Sequence, residues 1–84
     1  MKTTPGDHSA RYLTEAEAAR HASRSYHCEA RRCREPATVV TWHWFPSRIT
    51  GQLMASERFM CTPHGEAFAR CHRIALEDAP AGEL

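Results

Sequence analysis

The sequence predicts one small α+β domain, in which a β-hairpin is followed by a C-terminal helix and preceded by a second helix. Three observations support this prediction. The chain has only 84 residues, a run of β-branched and aromatic residues occupies its centre, and good helix formers precede and follow that run. A chain of this length buries only about 60% of its unfolded surface on folding, which excludes a second domain.

The N-terminal part of the chain divides at about residue 13. Residues 1–12 are polar and show no hydrophobic periodicity, so we expect a flexible leader there and the folded domain over residues 13–78. Thr14 and Glu17 match the capping box of a helix start, which predicts a helix over about residues 15–24. Its alanines form only a thin apolar stripe. Residues 79–84 are small and polar, and we interpret them as a flexible tail.

The central run predicts the hairpin. Residues 37–45 (ATVVTWHWF) and 53–61 (LMASERFMC) have the composition of strands, and a Pro- and Gly-containing segment separates them. Alternation places Val40, Trp42 and Trp44 on one face of the first strand and Val39, Thr41, His43 and Phe45 on the other. We expect one face to pack on the C-terminal helix and the other to stay partly exposed, unless the N-terminal helix covers it.

The C-terminal helix is predicted over residues 63–77. Thr62 is a suitable N-cap, Pro63 is favoured in the first turn, and good helix formers follow. Helical spacing gives an inward stripe of His64, Phe68, Cys71 and Ala75. His64 is therefore expected to point toward the interior.

Composition narrows the class of protein. Eleven Lys and Arg against ten Asp and Glu give a net charge of +1, so the chain is neither strongly basic nor disordered in type. There is no apolar run of about 18 residues, and the N-terminus lacks the apolar core of an export signal, so we expect a cytoplasmic protein without membrane contact. Cysteines stay reduced in that compartment, which favours metal binding over two disulfides for the four cysteines.

The cysteines and one histidine have the spacing of a zinc site. Cys28 and Cys33 form a C-x4-C pair, Cys61 and His64 form a C-x2-H pair, and the predicted hairpin lies between the pairs. Zinc takes four tetrahedral ligands from Cys thiolates and His imidazoles. Positive charge at the helix N-terminus is expected to favour the Cys61 thiolate. The alternatives that stay open are His27, Cys71 or His72 in place of one ligand, and iron in place of zinc.

This order of elements resembles the treble-clef zinc finger, in which a turn with two ligands is followed by a β-hairpin and by a helix whose start carries the other two. The resemblance covers residues 26–77. The segments C-x4-C-x2-PAT and RFMC-x2-H-x2-A also resemble small zinc-finger proteins of actinobacteria and their phages, and the excess of Arg over Lys with abundant Ala fits such genomes. The resemblance implies the same four ligands but no particular function, because treble clefs serve many functions.

Four protein ligands leave no coordination position for a reacting water, so we expect one structural zinc ion and no enzymatic activity. The function is then binding of a macromolecule, and two surfaces are candidates. Trp42 and Trp44, on the hairpin, suit a protein partner, which we favour, and a phage adaptor or inhibitor of a host protein would fit the resemblance. The alternative is a nucleic-acid-binding regulator that uses the arginines near the first two cysteines, Arg31, Arg32 and Arg34.

A nuclease of the ββα-metal type, with His43 as general base, is a remote alternative. The strand histidine stands between two tryptophans, and no further His and Asn constellation accompanies it. We expect no small-molecule substrate, and the oligomeric state is open.

Overall fold

A computed structural model describes residues 7–81 as a four-stranded sheet with two helices. The elements in chain order are β1 (His8–Tyr12), α1 (Glu15–Ser23), β2 (Val39–Pro46), β3 (Leu53–Met60), α2 (Thr62–His72) and β4 (Leu76–Glu77). The strand order is β3-β2-β1-β4, with β2 antiparallel to both neighbours and β4 parallel to β1. The prediction of a small α+β domain with a hairpin and two helices is confirmed. No helix among these residues is long and apolar enough to cross a membrane.

Strand β1 corrects the prediction for the start of the chain. Residues that we interpreted as leader form an inner strand, paired with β2 from His8 opposite His43 to Tyr12 opposite Val39. The segment HSARY has no clear alternation, and only Ala10 is buried. Strand β1 is therefore formed by its pairing with β2 and β4. The hydrophobic pattern of its own residues does not indicate this pairing. The rest of the predicted leader, residues 1–6, and the tail end, residues 82–84, lie outside the described residues.

The two helices cover opposite faces of β2. Consecutive strand residues point to opposite faces, and Val40 faces α1 whereas Val39 faces α2. On one side Val40 forms a buried cluster with Leu13 and Ala37, against which Ala18 of α1 packs together with Trp42 and Phe59. On the other side α2 lies directly on Val39. The domain thus has three layers, and α1 partly covers the hairpin face that would otherwise be open.

Helix α1 is held mainly by its N-terminus, since none of its residues is buried. The capping box is present: Glu17 N donates to Thr14 Oγ1 (3.1 Å), and Thr14 N donates to Glu17 Oε1 (2.9 Å). Arg11 of β1 donates to both oxygens of the Glu17 carboxylate, at 2.8 and 2.9 Å. These bonds, chiefly the one with Arg11, lower the pKa of Glu17 from 4.5 to about 2.

Helix α2 is shorter than predicted and presents a different face. Cys61, and not Thr62, is the N-cap, and the helix ends at His72 because Arg73 adopts the left-handed conformation (φ 56°) typical of a helix C-terminus. The chain then forms β4, whose pairing with β1 outweighs the helical propensity of residues 74–77. Gly65 and Ala69 are the buried positions. The predicted inward residue Cys71 is exposed.

The end of the hairpin projects beyond the rest of the sheet. Strands β2 and β3 pair over eight residues each, but β1 reaches only to His43. Several large apolar side chains are exposed there: Ile49 (94%), Met54 (49%) and Leu53 (37%).

Candidate metal centre

The first two predicted ligands lie in a tight turn between α1 and β2. His27 and Pro36 form an isolated β-bridge at the base of this turn, and Cys28 N donates to Glu35 O at 2.8 Å. Cys33 N closes the turn by donating to Ala30 O at 3.0 Å. The turn therefore returns the chain on itself, and both thiols reach the same point.

The other two predicted ligands lie where β3 leads into α2. Cys61 is buried at the N-cap, and His64 follows within the first helical turn. Gly65 allows the helix to lie this close to the sheet, because a Cβ atom there would be only 2.7–2.8 Å from side-chain atoms of Val39. The close packing of α2 on β2 brings the second ligand pair to the first.

The four ligand atoms form one compact group. Cys28, Cys33, Cys61 and His64 have all their ligand atoms within 4.8 Å of one another. The distances are 3.8 Å from Cys33 Sγ to Cys61 Sγ, 3.1 Å from Cys61 Sγ to His64 Nδ1, and 3.4 Å from Cys28 Sγ to His64 Nδ1.

The 3.8 Å and 3.4 Å separations are close to those around a tetrahedral ion, and the 3.1 Å separation is shorter. Zinc at about 2.3 Å from sulfur and about 2.0–2.1 Å from nitrogen places its ligands roughly 3.8 Å (S···S) and roughly 3.6 Å (S···N) apart. A disulfide would need an S–S distance of about 2.05 Å, and all four cysteines are free thiols. The group is therefore consistent with one metal site.

The two buried thiols ionise differently. Burial raises the pKa of Cys28, but hydrogen bonds from the backbone amides of Cys61 and Ala30 outweigh it and lower this pKa to about 7. Burial, together with the Cys28 and Cys33 thiols, raises the pKa of Cys61 to about 11. The His64 amide, in the first turn of α2, lowers this pKa as expected of a helix N-terminus, but burial and the neighbouring thiols outweigh it. A bound cation supplies the positive charge that lets neighbouring thiols ionise together.

The alternative ligands lie outside this group. Cys71 is exposed on α2. The His27 ring contacts the Cys28 carbonyl (Nδ1 to O, 3.0 Å), and His72 stacks on His8 at a ring-centroid distance of 3.7 Å. Within residues 7–81, no other group brings three or more Cys, His, Asp or Glu ligand atoms together.

The arginines near the first two cysteines do not serve the thiols. Arg31, Arg32 and Arg34 are exposed, and among the described residues the backbone donors to the Cys28 sulfur are Ala30 N (3.4 Å) and Cys61 N. Arg32 adopts the left-handed conformation (φ 63°), which is unusual for a residue other than Gly or Asn. Their proposed role in partner binding stays a prediction.

The two tryptophans differ in their surroundings. Trp42 packs on the α1-side cluster, its Nε1 donates to Glu57 Oε2 at 2.8 Å, and the Arg11 guanidinium lies 5.7 Å from its ring. Trp44 is half-buried, farther along the hairpin, and its backbone amide donates to Asp7 O. Trp42 therefore has a structural role whether or not it contacts a partner, and Trp44 is the better test of partner binding.

His43, the remote candidate for a general base, is part of a stack of three histidines. Its ring lies 4.6 Å from that of His8, which in turn stacks on His72 beside Phe68. Sequence reasoning missed His8 because nothing in the local pattern indicated that residues 35 and 64 positions apart from it would meet. This stack is outside the candidate metal centre.

No family model, no curated protein and no solved structure matches this chain. The functional inference therefore depends on the site and the surfaces of the molecule itself.

Proposed function

We propose that the chain is a structural-zinc module of the treble-clef type that binds another protein. The observation that carries the zinc assignment is the group of three thiols and one imidazole within 4.8 Å. Three sulfurs and one nitrogen fill all four positions of a tetrahedral zinc ion and leave none for a reacting water, which supports a structural and non-catalytic role.

The order of elements around this group supports the treble-clef type. A turn carrying Cys28 and Cys33 precedes the hairpin, and the start of α2 follows it with Cys61 and His64. Zinc in this position ties the turn, the end of β3 and the first turn of α2 together. Strand β1, strand β4 and helix α1 are additions to that arrangement.

The end of the hairpin is the surface that supports a protein partner. Ile49, Leu53 and Met54 are exposed. Leu53, opposite Pro46, lies on the same hairpin face as the half-buried Trp44, whereas Met54 lies on the other face. Exposed apolar side chains concentrated at one end of a molecule are typical of protein-binding surfaces. An adaptor or inhibitor role in a phage is proposed on the resemblance alone.

A nucleic-acid-binding regulator is the second candidate, and the exposed arginines favour it. Arg31, Arg32 and Arg34 have no carboxylate partner within the described residues, so their guanidinium groups are available to phosphates. The net charge of +1 argues against strong binding without sequence preference. We therefore place this function second.

Native mass spectrometry with metal analysis tests the zinc assignment. We expect one zinc ion per chain in the wild type and in the control Cys71→Ser, and loss of zinc from Cys28→Ser, Cys61→Ser and His64→Ala. A chain without metal, or zinc retained in the Cys61→Ser protein, would contradict the proposed site.

Two variants separate the candidate partners. We expect Trp44→Ala to reduce the capture of a protein partner from a lysate of the source cells, with little dependence on salt. Arg31→Ala with Arg32→Ala should leave that capture unchanged. If the arginine variant instead abolishes binding to a labelled DNA or RNA in a salt-sensitive manner, the second candidate replaces the first.

A further inference from the structure

A cavity of about 340 Å³ lies on the α1 side of the domain, next to the metal centre but separate from it. The end of α1, the segment that follows it and β3 form its walls, through His21, Ser25, Tyr26, His27, Glu29 and Phe59. Its volume is at the lower end of the range for ligand pockets, about 300–1,000 Å³, which suits one ring-bearing group.

Four of the lining residues carry rings, and the lining is mainly apolar. The His21 ring lies 4.1 Å from that of Phe59 and 5.5 Å from that of Tyr26, and it is tilted against both. Tyr26 is 53% exposed, so it stands at the edge of the cavity and is not part of the core. A flat apolar group in the cavity would contact these rings without entering between His21 and Phe59, which already touch.

The carboxylate of Glu29 lines the cavity beside Phe59. Glu29 bridges the turn and the edge of β3: its Oε2 accepts from Phe59 N at 2.7 Å, and its own amide donates to Phe59 O at 2.8 Å. An ionised carboxylate has about four acceptor sites, so Glu29 retains capacity to accept a hydrogen bond from a ligand.

Positive charge borders the other side of the cavity. A second cleft, of about 140 Å³, shares His21 and Tyr26 with the cavity and is lined in addition by Arg20 and Arg24. Neither arginine has an ion-pair partner within residues 7–81. An occupant of the cavity is therefore best complemented by acidic groups on the side of these two arginines.

We propose that this cavity receives a Trp or Tyr side chain of an acidic segment in a partner protein, with neighbouring Asp or Glu residues contacting Arg20 and Arg24. Trp and Tyr combine a large apolar body with one donor, which Glu29 can accept. This inference assumes that the chain binds a protein, but it does not depend on the hairpin end as the contact surface.

Two other occupants fit less well. A nucleobase has several polar groups on its edges, and the mainly apolar lining of this cavity would leave most of them unpaired at a cost. A cationic side chain would suit the rings and Glu29 but would face two arginines.

The cavity also gives the metal centre a role in binding. His27 and Glu29 flank the ligand Cys28, and Phe59 lies two residues before the ligand Cys61. A metal ion that fixes these two ligands also fixes the adjoining part of the cavity wall, where Glu29 and Phe59 are hydrogen-bonded. We therefore expect peptide binding to weaken when the metal is removed.

The test uses the zinc-loaded full chain and a synthetic pentapeptide with one Trp between two pairs of acidic residues. Binding is followed by backbone amide NMR and calorimetry. We expect the amide signals of residues 25–29 to shift, and we expect an Ala in place of the peptide Trp to lower the affinity at least about tenfold. Tyr26→Ala should have a similar effect, and Arg24→Gln should lower the affinity about two- to fivefold.

A matched control for Arg24→Gln comes from the hairpin loop. Arg48→Gln removes the same type of charge away from the cavity, and it should leave the affinity for the peptide unchanged. Because Tyr26 and Arg24 are exposed, their variants should retain the wild-type fold, which the dispersion of the amide spectrum verifies.

Three results would overturn the inference: absence of binding at residues 25–29, equal binding of a peptide with Lys in place of the acidic residues, or preferential binding of an octathymidylate. If the acidic peptide fails but Trp44→Ala lowers the capture of a protein partner, the protein-binding function stands and only the cavity assignment is wrong. If both fail, the protein-binding function is wrong as well.

Discussion

The two ends of the β2–β3 hairpin, the metal end and the hairpin end, differ in which side chains are buried. At the metal end, which comprises residues 27–37 and 60–66, Cys28, Ala37 and Cys61 are buried. The adjoining start of β2 is covered by a helix on each face. At the hairpin end, residues 44–55, Ile49 and Met54 are among the most exposed apolar side chains. The buried residues at the metal end are thus small, and several large apolar residues are exposed at the hairpin end.

This difference shows that the fold does not depend on a large hydrophobic core. Among the described residues, the buried apolar ones are Ala10, Leu13, Cys28, Ala37, Val39, Val40, Cys61 and Ala69, and none is aromatic. Burying one Val or Leu contributes about 1.5–3 kcal/mol, whereas structural zinc contributes about 10–16 kcal/mol in zinc-finger peptides. We infer that the metal end is ordered by its ligands and that the hairpin end is free to serve binding.

The largest effect is expected from removing the metal, which should disorder the metal end and leave the hairpin end little changed. We expect a chelator, or Cys28→Ser, to release the turn and the start of α2, because the thiols alone leave these segments with few buried contacts. The amide NMR spectrum should lose the dispersion of residues 27–37 and 60–66 first. Cys71→Ser is the control, since this thiol is exposed, and its spectrum should match that of the wild type. A chelated protein with an unchanged spectrum would mean that packing alone is sufficient.

The second test concerns the close contact of α2 with β2. In Gly65→Ala the new Cβ atom would meet Val39 at 2.7–2.8 Å, so we expect a loss of about 1–3 kcal/mol in the free energy of unfolding, measured by denaturant titration in excess zinc. Adding Val39→Ala should remove the clash, so the two changes together should cost less than their sum. Strict additivity would indicate that α2 lies farther from the strand.

A smaller effect is expected at the start of α1. Because Arg11 holds the pKa of Glu17 near 2, its stabilising contribution is complete above about pH 4.5 and is lost as the pH falls toward 2. Glu17→Gln should therefore lower the free energy of unfolding by about 1 kcal/mol at pH 7, and its difference from the wild type should shrink below pH 4.5. The exposed neighbour Glu15→Gln serves as control. A difference that is independent of pH would contradict the ion pair.

The smallest effect belongs to the hairpin end. Ile49→Ser replaces a side chain that is 94% exposed, so we expect the free energy of unfolding to change by less than about 0.5 kcal/mol in thermal or denaturant unfolding. A larger loss would show that this end contributes to the fold in solution, for example through self-association, which sedimentation analysis of the same variant would detect.

The sequence predicted most of what depends on local patterns. Thr14 and Glu17 marked the start of α1, the β-branched and aromatic run marked β2, and the spacing of the cysteines grouped the ligands that the structure brings together. Each of these features has its cause within a few neighbouring residues, or in the limited chemistry of a metal ligand set.

What the sequence did not predict depends on distant pairing. Strand β1 has no apolar alternation of its own and exists because β2 and β4 flank it. Residues 74–77 favour a helix locally, yet Leu76 pairs with Ala10 of β1 and forms a strand. The cavity combines rings from α1 and β3, His21 and Phe59, that no local motif connects. Tertiary contacts outweighed propensity at each of these places.

Zinc K-edge X-ray absorption on the purified chain tests the central assignment most directly, because it counts ligands by element and distance. We expect three sulfur atoms at about 2.3 Å and one nitrogen at about 2.0–2.1 Å, with the signature of an imidazole ring. Cys71→Ser, which changes the exposed cysteine, should leave this set of ligands unchanged. A site with an oxygen ligand in the wild type, or with fewer than three sulfurs, would contradict a closed structural centre.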